Sequence, residues 1–301
     1  MSHAAANDAG PRAVEHSFSR VVLCEGGREN CLVLGRSRYA EYGQHTQRLS
    51  IKMASGGRER YFIGGRSVAV DDDNYLLLND GRTYGSLIHA EREVESFSIF
   101  FRPGLLGEVL AELSVPPPRA LETSEPVGVP SVEFDERLFP HDGTVTPVMR
   151  YLRHHILAGV DDEQWYEEQL HVLAERLLAT QGRVAGDALR IASVRASTRR
   201  EILRRLALAV DLVNSCYERD IGLADMAAAA CMSRYHFLRL FRQVHELTPM
   251  QFLYRKRILA ASRLVARGGM RMQDVAACVG FASRATFYRQ WRRWKVAPAN
   301  P

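Results

Sequence analysis

Two arginines, Arg239 and Arg289, stand 50 residues apart in matching local settings. The first lies in Ser233-x3-Phe237-x-Arg239-x-Phe241 and the second in Ser283-x3-Phe287-x-Arg289-x-Trp291. A guanidinium can donate two hydrogen bonds to O6 and N7 of guanine, so an arginine on an exposed helical ridge can read a base in a major groove. On a helix opening at Arg234, Phe237, Leu240 and Phe241 share one buried face. Tyr235, Leu238, Arg239 and Arg242 then point elsewhere, with Tyr235 and Arg239 on one ridge. On a helix opening at Arg284, Phe287 and Trp291 form the inward stripe, and Arg284, Ala285, Tyr288 and Arg289 the outward one. A single helix of this kind reads equally well as a solvated basic face; the same register on two helices argues against that.

These helices need short partners to hold them. Met226, Ala227 and Ala230 precede the first at helical spacing, and Val275, Ala276 and Val279 precede the second. The offset is 49 residues from Met226-Ala227 to Val275-Ala276 and 50 from Ser233 to Ser283, so the second turn carries one extra residue. Ser233 is a good N-cap for the helix after it. The pattern predicts two helix-turn-helix units, about 223–244 and 271–294. Thr248-Pro249 predicts the start of a long helix to about Ala266 that joins them. Such an internal repeat, in order and chemistry, is hard to obtain from composition alone.

Charge is distributed unevenly. The formal net charge is +5, but residues 195–301 hold 20 Lys plus Arg against 7 Asp plus Glu, which gives +13, and residues 1–194 hold 20 against 28, which gives −8. A basic domain joined to an acidic one fits a nucleic-acid reader attached to something else. Arg242, Arg292, Arg293 and Lys295 are the candidates for phosphate contact. Five cysteines, Cys24, Cys31, Cys216, Cys231 and Cys278, are too few and scattered for a disulfide framework and read as inert core thiols. No signal peptide and no long apolar run is evident, so a cytoplasmic protein without a membrane partner is expected.

From Phe18 to Phe101 the pattern is one of short strands with glycine-rich turns, which suggests a β-barrel or a jelly roll. Tyr75-Leu76-Leu77-Leu78 breaks at Asn79-Asp80-Gly81, a hairpin signal. Helices are predicted from Pro103 to Leu113, along the stripe Val145, Val148, Met149, Leu152 and Ile156, and along Tyr166, Leu170, Leu173 and Leu177; the last two pack on the barrel or against a second subunit. A proline-rich loop spans 115–130. The expected organisation is a flexible tail at 1–15, a barrel with appended helices at 16–181, a linker at 182–196, and a helical domain at 197–301 opened by a helix carrying Ile202, Leu206, Ala209, Val210 and Val213. The fold class is therefore α+β.

The C-terminal hundred residues resemble the AraC/XylS family of bacterial transcription regulators. The residues that carry the resemblance are Leu223-x2-Met226-Ala227, Met232-Ser233-x3-Phe237-x3-Phe241, Leu247-Thr248-Pro249, and Asp274-Val275-Ala276-x2-Val279-Gly280-Phe281 with Phe287 and Trp291. The resemblance implies that each recognition helix enters a major groove of double-stranded DNA and that the linking helix holds the two rigidly. The family's base-facing positions fall on Tyr235, Leu238 and Arg239, and on Arg284, Ala285 and Arg289. It also implies a cupin-like N-terminal sensing domain, matched more weakly by Tyr75-Leu76-Leu77-Leu78-Asn79 and Phe100-Phe101-x-Pro103-Gly104. Three positions depart from the family pattern: Cys231 replaces a turn glycine, Gln290 takes an apolar place, and the turn after Trp294 is one residue short. The second unit is expected to be the weaker of the two.

The expected function is a sequence-specific transcription regulator, an activator controlled through its N-terminal domain. Its expected partners are DNA, RNA polymerase, a small-molecule effector and a second copy of the chain. Two rival readings make different demands on the sequence. A metal-dependent cupin enzyme needs closely spaced histidines and a glutamate, whereas His16, His45 and His89 are isolated and neighbouring His154 and His155 point to different faces of a helix. An architectural DNA binder needs basic residues without a defined ridge. Neither catalytic residues, nor a metal site, nor a cofactor is expected.

Overall fold

The computed structural model describes residues 13–23, 29–114, 132–188 and 196–294. The tail to residue 12, the whole proline-rich loop 115–130, the linker residues 189–195, Cys24 and Lys295 lie outside them, as does the turn after Trp294. The chain divides into two compact units, Met1–Val184 and Ala185–Pro301.

The first unit is built on an antiparallel sheet of strands β1 (Ala13–Val22), β2 (Cys31–Gln47), β3 (Ser50–Ser55), β4 (Glu59–Ile63), β5 (Arg66–Val70), β6 (Asn74–Leu78), β7 (Arg82–Phe100) and β8 (Leu138–Pro140). Its path is β1-β2-β7-β3-β6-β8, and β4 pairs with both β5 and β7. Where only short strands were expected, β2 and β7 run for 17 and 19 residues. They pair along their lengths with register shifts between Ser37 and Tyr39 and between Tyr42 and His45. Such bulges bend a strand, which lets the two halves of β7 take different second neighbours. Residues Tyr84–Ile88 pair with β4, and Glu95–Phe100 with β3.

β6 shows how period-two alternation builds two cores. Tyr75 and Leu77 enter the cluster shared with the helices, while Leu76 and Leu78 enter the barrel interior with Tyr61, Tyr84 and Val94. The hairpin expected at Asn79-Asp80-Gly81 is a correction: the turn exists, with Gly81 at φ 72°, but β6 pairs with β3 and β8. The signal was local, whereas strand partners are chosen by the whole sheet. The true tight hairpin joins β4 to β5 across Gly64-Gly65, both at positive φ, as a two-residue turn in the right-handed twist requires.

Helices α1 (Leu105–Ser114), α2 (Thr146–Ala158) and α3 (Glu163–Ala188) complete the unit. The predicted stripes on α2 and α3, with Val145 just before the first, are buried against Leu32, Leu34, Ile51 and Phe97 of the sheet. The barrel, and not a second subunit, therefore takes these two apolar faces. α3 continues to Ala188, into the stretch expected as linker. Inside the barrel Lys52 is fully buried, with its ammonium 3.7 Å from the Phe100 ring centre. Burial draws its pKa down to about 7, opposed by the Glu59 carboxylate. Glu59 in turn accepts a hydrogen bond from Ser96 Oγ.

The cysteines differ from the expectation of inert core thiols. Cys31 is disulfide-bonded. Cys216 is half-buried, and Cys231 and Cys278 are exposed at helix-turn-helix turns. His45 lies on the Tyr84 ring and His89 on Tyr39. Among the described residues no group of three His, Cys, Asp or Glu is placed to hold a metal.

Candidate nucleic-acid interface

The second unit comprises α4 (Ala196–Cys216), α5 (Leu223–Ala229), α6 (Arg234–His245), α7 (Pro249–Arg267), α8 (Met272–Cys278) and α9 (Arg284–Trp294). Four of them, α5, α6, α7 and α9, begin at a side-chain cap. Asp225 Oδ2 accepts from Gly222 N at 2.8 Å at the head of α5. Ser233 Oγ accepts from His236 N at 3.4 Å, and Ser283 Oγ from Thr286 N at 3.3 Å, so α6 and α9 carry the same N-cap. Thr248 and Gln251 cap α7 reciprocally at 3.2 and 2.9 Å, and Pro249 occupies its first turn.

The two turns open with the same backbone hydrogen bonds, although the second is one residue longer. Cys231 N donates to Ala228 O at 2.9 Å and Met232 N to Ala227 O at 3.0 Å. Forty-nine residues on, Gly280 N donates to Ala277 O and Phe281 N to Ala276 O, both at 3.0 Å. Cys231 has φ 51° and Gly280 φ 87°, so both sit in the left-handed region that lets the chain reverse after a helix.

Behind the turns lie two small cores. Phe237, Leu240 and Phe241 of α6 bury against Met226, Ala227, Leu206 and Val213. Phe287 of α9 buries against Val275, Ala276, Val279 and Phe281. One departure from the expected stripe appears in α9: Gln290 is buried and Trp291 only half-buried. The amide oxygen at this apolar position has a partner, because Trp294 Nε1 donates to Gln290 Oε1 at 3.2 Å.

α7 belongs to both cores. Leu253 packs in the first, Ile258 and Ala261 in the second, and Tyr217 against both. Sequence reading missed the residue that locks this junction. Arg257 is 6% exposed; its Nε donates to Tyr217 O at 2.7 Å and its Nη2 to Arg219 O at 2.8 Å. It satisfies carbonyls left orphaned at the end of α4 and stands 5.5 Å from the Phe281 ring centre. Burial lowers its pKa from the ordinary guanidinium value. The dipeptide Lys256-Arg257 carries no local signal for this and reads as a solvated face. The loop after α4 also touches the second turn: a Cβ on Gly280 would stand 2.5 Å from Glu218 O. Close packing of this kind fixes the separation of the two units.

What remains outward is polar and basic. Tyr235 is 81% exposed, and Leu238, Arg239, Arg284, Ala285, Tyr288 and Arg289 are exposed as well. Arg242, Arg292 and Arg293 are also exposed, toward the C-terminal parts of α6 and α9. Arg293 lies 5.0 Å from the Trp294 ring centre. Lys295 falls outside the described residues.

Comparison with known proteins agrees with this anatomy. The helix-turn-helix domain family matches residues 226–299. A probable transcriptional regulator of Photobacterium leiognathi, LumQ, is 30% identical over 76 residues, 25% of this chain and 31% of that protein. The helix-turn-helix-type transcriptional regulator AlkR of Acinetobacter baylyi is 27% identical over 88 residues, 29% of each chain. The chain thus spans about three-tenths of the length of these relatives. Among solved structures, the DNA-binding domain of AdpA in complex with a target DNA is 31% identical over 30% of this chain and 80% of that one, with a TM-score of 0.28. ToxT of Vibrio cholerae is 12% identical over 94% of this chain and 95% of that one, with a TM-score of 0.33. The C-terminal part of this chain is thus similar to the helix-turn-helix domains of transcription regulators.

Proposed function

We propose that this protein is a sequence-specific DNA-binding transcription regulator that acts by binding and not by catalysis. The observation that carries the reading is the pair of recognition helices, α6 and α9, with matching serine caps and turn hydrogen bonds, packed on one shared helix α7. Tyr235, Leu238 and Arg239 on α6, and Arg284, Ala285 and Arg289 on α9, read bases. Arg242, Arg292, Arg293 and Lys295 hold phosphates and set position. The two helices enter successive major grooves on one face of the duplex, about 10.5 base pairs or roughly 34 Å apart.

The N-terminal barrel is the controlling domain. Its interior, where Lys52, Glu59 and Ser96 meet among apolar side chains, is the candidate place for a small-molecule effector. Activation through RNA polymerase, a homodimeric state and a cytoplasmic setting complete the reading. The test is competition binding of the full chain against a selected duplex and random duplexes over a salt series. Specific binding should exceed random binding and fall steeply with salt, by about 0.9 log units per phosphate contact for each tenfold change. Equal affinity for every duplex would instead make the protein an architectural binder.

A further inference from the structure

The two recognition helices match in burial at an offset of 50 residues. Phe237 and Leu240 are buried on α6, as are Phe287 and Gln290 on α9. Tyr235, Leu238, Arg239 and Arg242 are exposed, as are Ala285, Tyr288, Arg289 and Arg292. One further exposed pair also keeps its residue type: Arg234 and Arg284, the first residue of each helix. On α9 this arginine is one of the proposed base readers; on α6 Arg234 has no such role. Helix stability does not explain the pair. The first turn lies at the positive end of the helix dipole, where a carboxylate is stabilising and a cation is not. The supporting helices follow that rule, with Asp225 in the first turn of α5 and Asp274 in that of α8. α6 and α9 carry no acid there and open on arginine. Among the described residues neither guanidinium has a hydrogen-bond or ion-pair partner to compensate.

We infer that Arg234 is a further specificity-determining residue, the α6 equivalent of Arg284, whose guanidinium pairs with a guanine in the half-site under α6. The inference rests on the reading of the chain as a sequence-specific DNA binder and deepens it. The contact is a base and not a phosphate, because the N-terminal residues of a recognition helix are the ones that meet base edges in the major groove. Arg234 shares a ridge with Leu238, four residues on, as Tyr235 does with Arg239. Arg234 and Arg239 therefore address different base pairs. Arg284 and Arg289 have the same separation along α9. The two half-sites thus carry their arginine-read guanines at the same spacing, and they differ where Tyr235 faces Ala285 in the repeat and Leu238 faces Tyr288.

The test is competition binding of the full chain against single-base variants of a selected duplex. Arg234→Ala should weaken the selected duplex by about tenfold and remove preference at one base pair of the α6 half-site, distinct from the pair that Arg239→Ala relaxes. Arg284→Ala should do the same in the other half. The two base pairs relaxed on each side should be equally spaced. Unfolding does not account for such a loss, since alanine is the better helix former and takes a cation away from the positive helix end; thermal unfolding should come no earlier. Arg234→Lys keeps the charge and loses the two-pronged donor, so it should restore binding to random duplexes and not the preference. If Arg234→Ala weakens selected and random duplexes alike and Arg234→Lys restores both, the residue holds a phosphate and the inference is wrong. Parental binding of every duplex by Arg234→Ala overturns it as well. In either case a loss of preference in Arg239→Ala leaves the sequence-specific reading standing. If the parent itself prefers no duplex, that reading falls and Arg234 with it.

Discussion

The two helix-turn-helix units solve one geometrical problem with different residues. Both reverse the chain through a left-handed residue, but the first uses Cys231 and the second Gly280. The first turn faces solvent, so its side chain is tolerated at the expense of backbone strain. The second turn abuts the carbonyl of Glu218, so no side chain fits at all. Their cores differ in the opposite sense. α6 buries Leu240 and Phe241, whereas α9 buries Gln290 and leaves Trp291 half-exposed. The amide must then be satisfied by Trp294, three residues beyond Trp291 and at the end of the helix. One unit is strained at the turn and sound in the core; the other is relaxed at the turn and thin in the core. Matching caps and turn hydrogen bonds are thus compatible with unequal stability, and stability is where the units should part.

The comparison breaks most sharply at Gly280. Gly280→Ala adds the left-handed penalty of about 1–2 kcal/mol and an overpacking term of about 1–3 kcal/mol. The Cβ would stand 2.5 Å from a backbone oxygen that the α4 end and Arg257 hold in place. The expected loss is roughly 3 kcal/mol or more of C-terminal domain stability, read by denaturant unfolding of the full chain. Protection of the half-site under α9 should go with it, while the α6 half-site persists. A loss under about 1 kcal/mol would mean that the loop after α4 moves freely and that the junction is not rigid.

A smaller effect tests readout. Arg239→Ala should cost about 1–3 kcal/mol on the specific duplex and relax sequence preference in one half-site only. Arg289→Ala should do the same in the other half and by less, since its helix ends on the Gln290–Trp294 hydrogen bond. Competition binding against a panel of single-base variants measures both. Should either variant lower specific and random binding equally, that arginine holds a phosphate and the equivalence of the two ridges fails.

The recognition helices were legible because their signals are local. A serine cap, an apolar pair at i and i+4, and Thr248-Pro249 at the head of α7 act within one or two turns of the chain, and each sits where the sequence puts it. The stripes on α2 and α3 were legible for the same reason, whereas their choice of partner was not: Met149 and Leu170 look alike whether they meet a sheet or a second chain. Non-local facts escaped. Nothing near Arg257 says that it reaches back 40 residues to Tyr217, and nothing near Gly280 says that Glu218 lies against it. The Asn79-Asp80-Gly81 turn carried a true turn signal, but its strands pair elsewhere. Gln290 is out of place in an apolar stripe, yet the indole that answers it lies four residues on and has no local signal.

The smallest effect is the most discriminating, because it concerns strain alone. Cys231 holds φ 51° and, like its counterpart Gly280, donates its N–H to the carbonyl three residues back. Its side chain is exposed, so replacing it removes little packing. Cys231→Gly relieves a left-handed penalty of about 1–2 kcal/mol and gives back about 0.4–1 kcal/mol through the freer unfolded chain. The net expectation is a gain of about 0.5 kcal/mol in domain stability, with sequence preference unchanged. Cys231→Ala keeps the Cβ and hence the strain, so it should leave stability near the parental value. Paired denaturant curves for the two variants resolve the cause. If alanine stabilises as much as glycine, the thiol and not the backbone is at fault, and the two turns are less alike in energy than in shape.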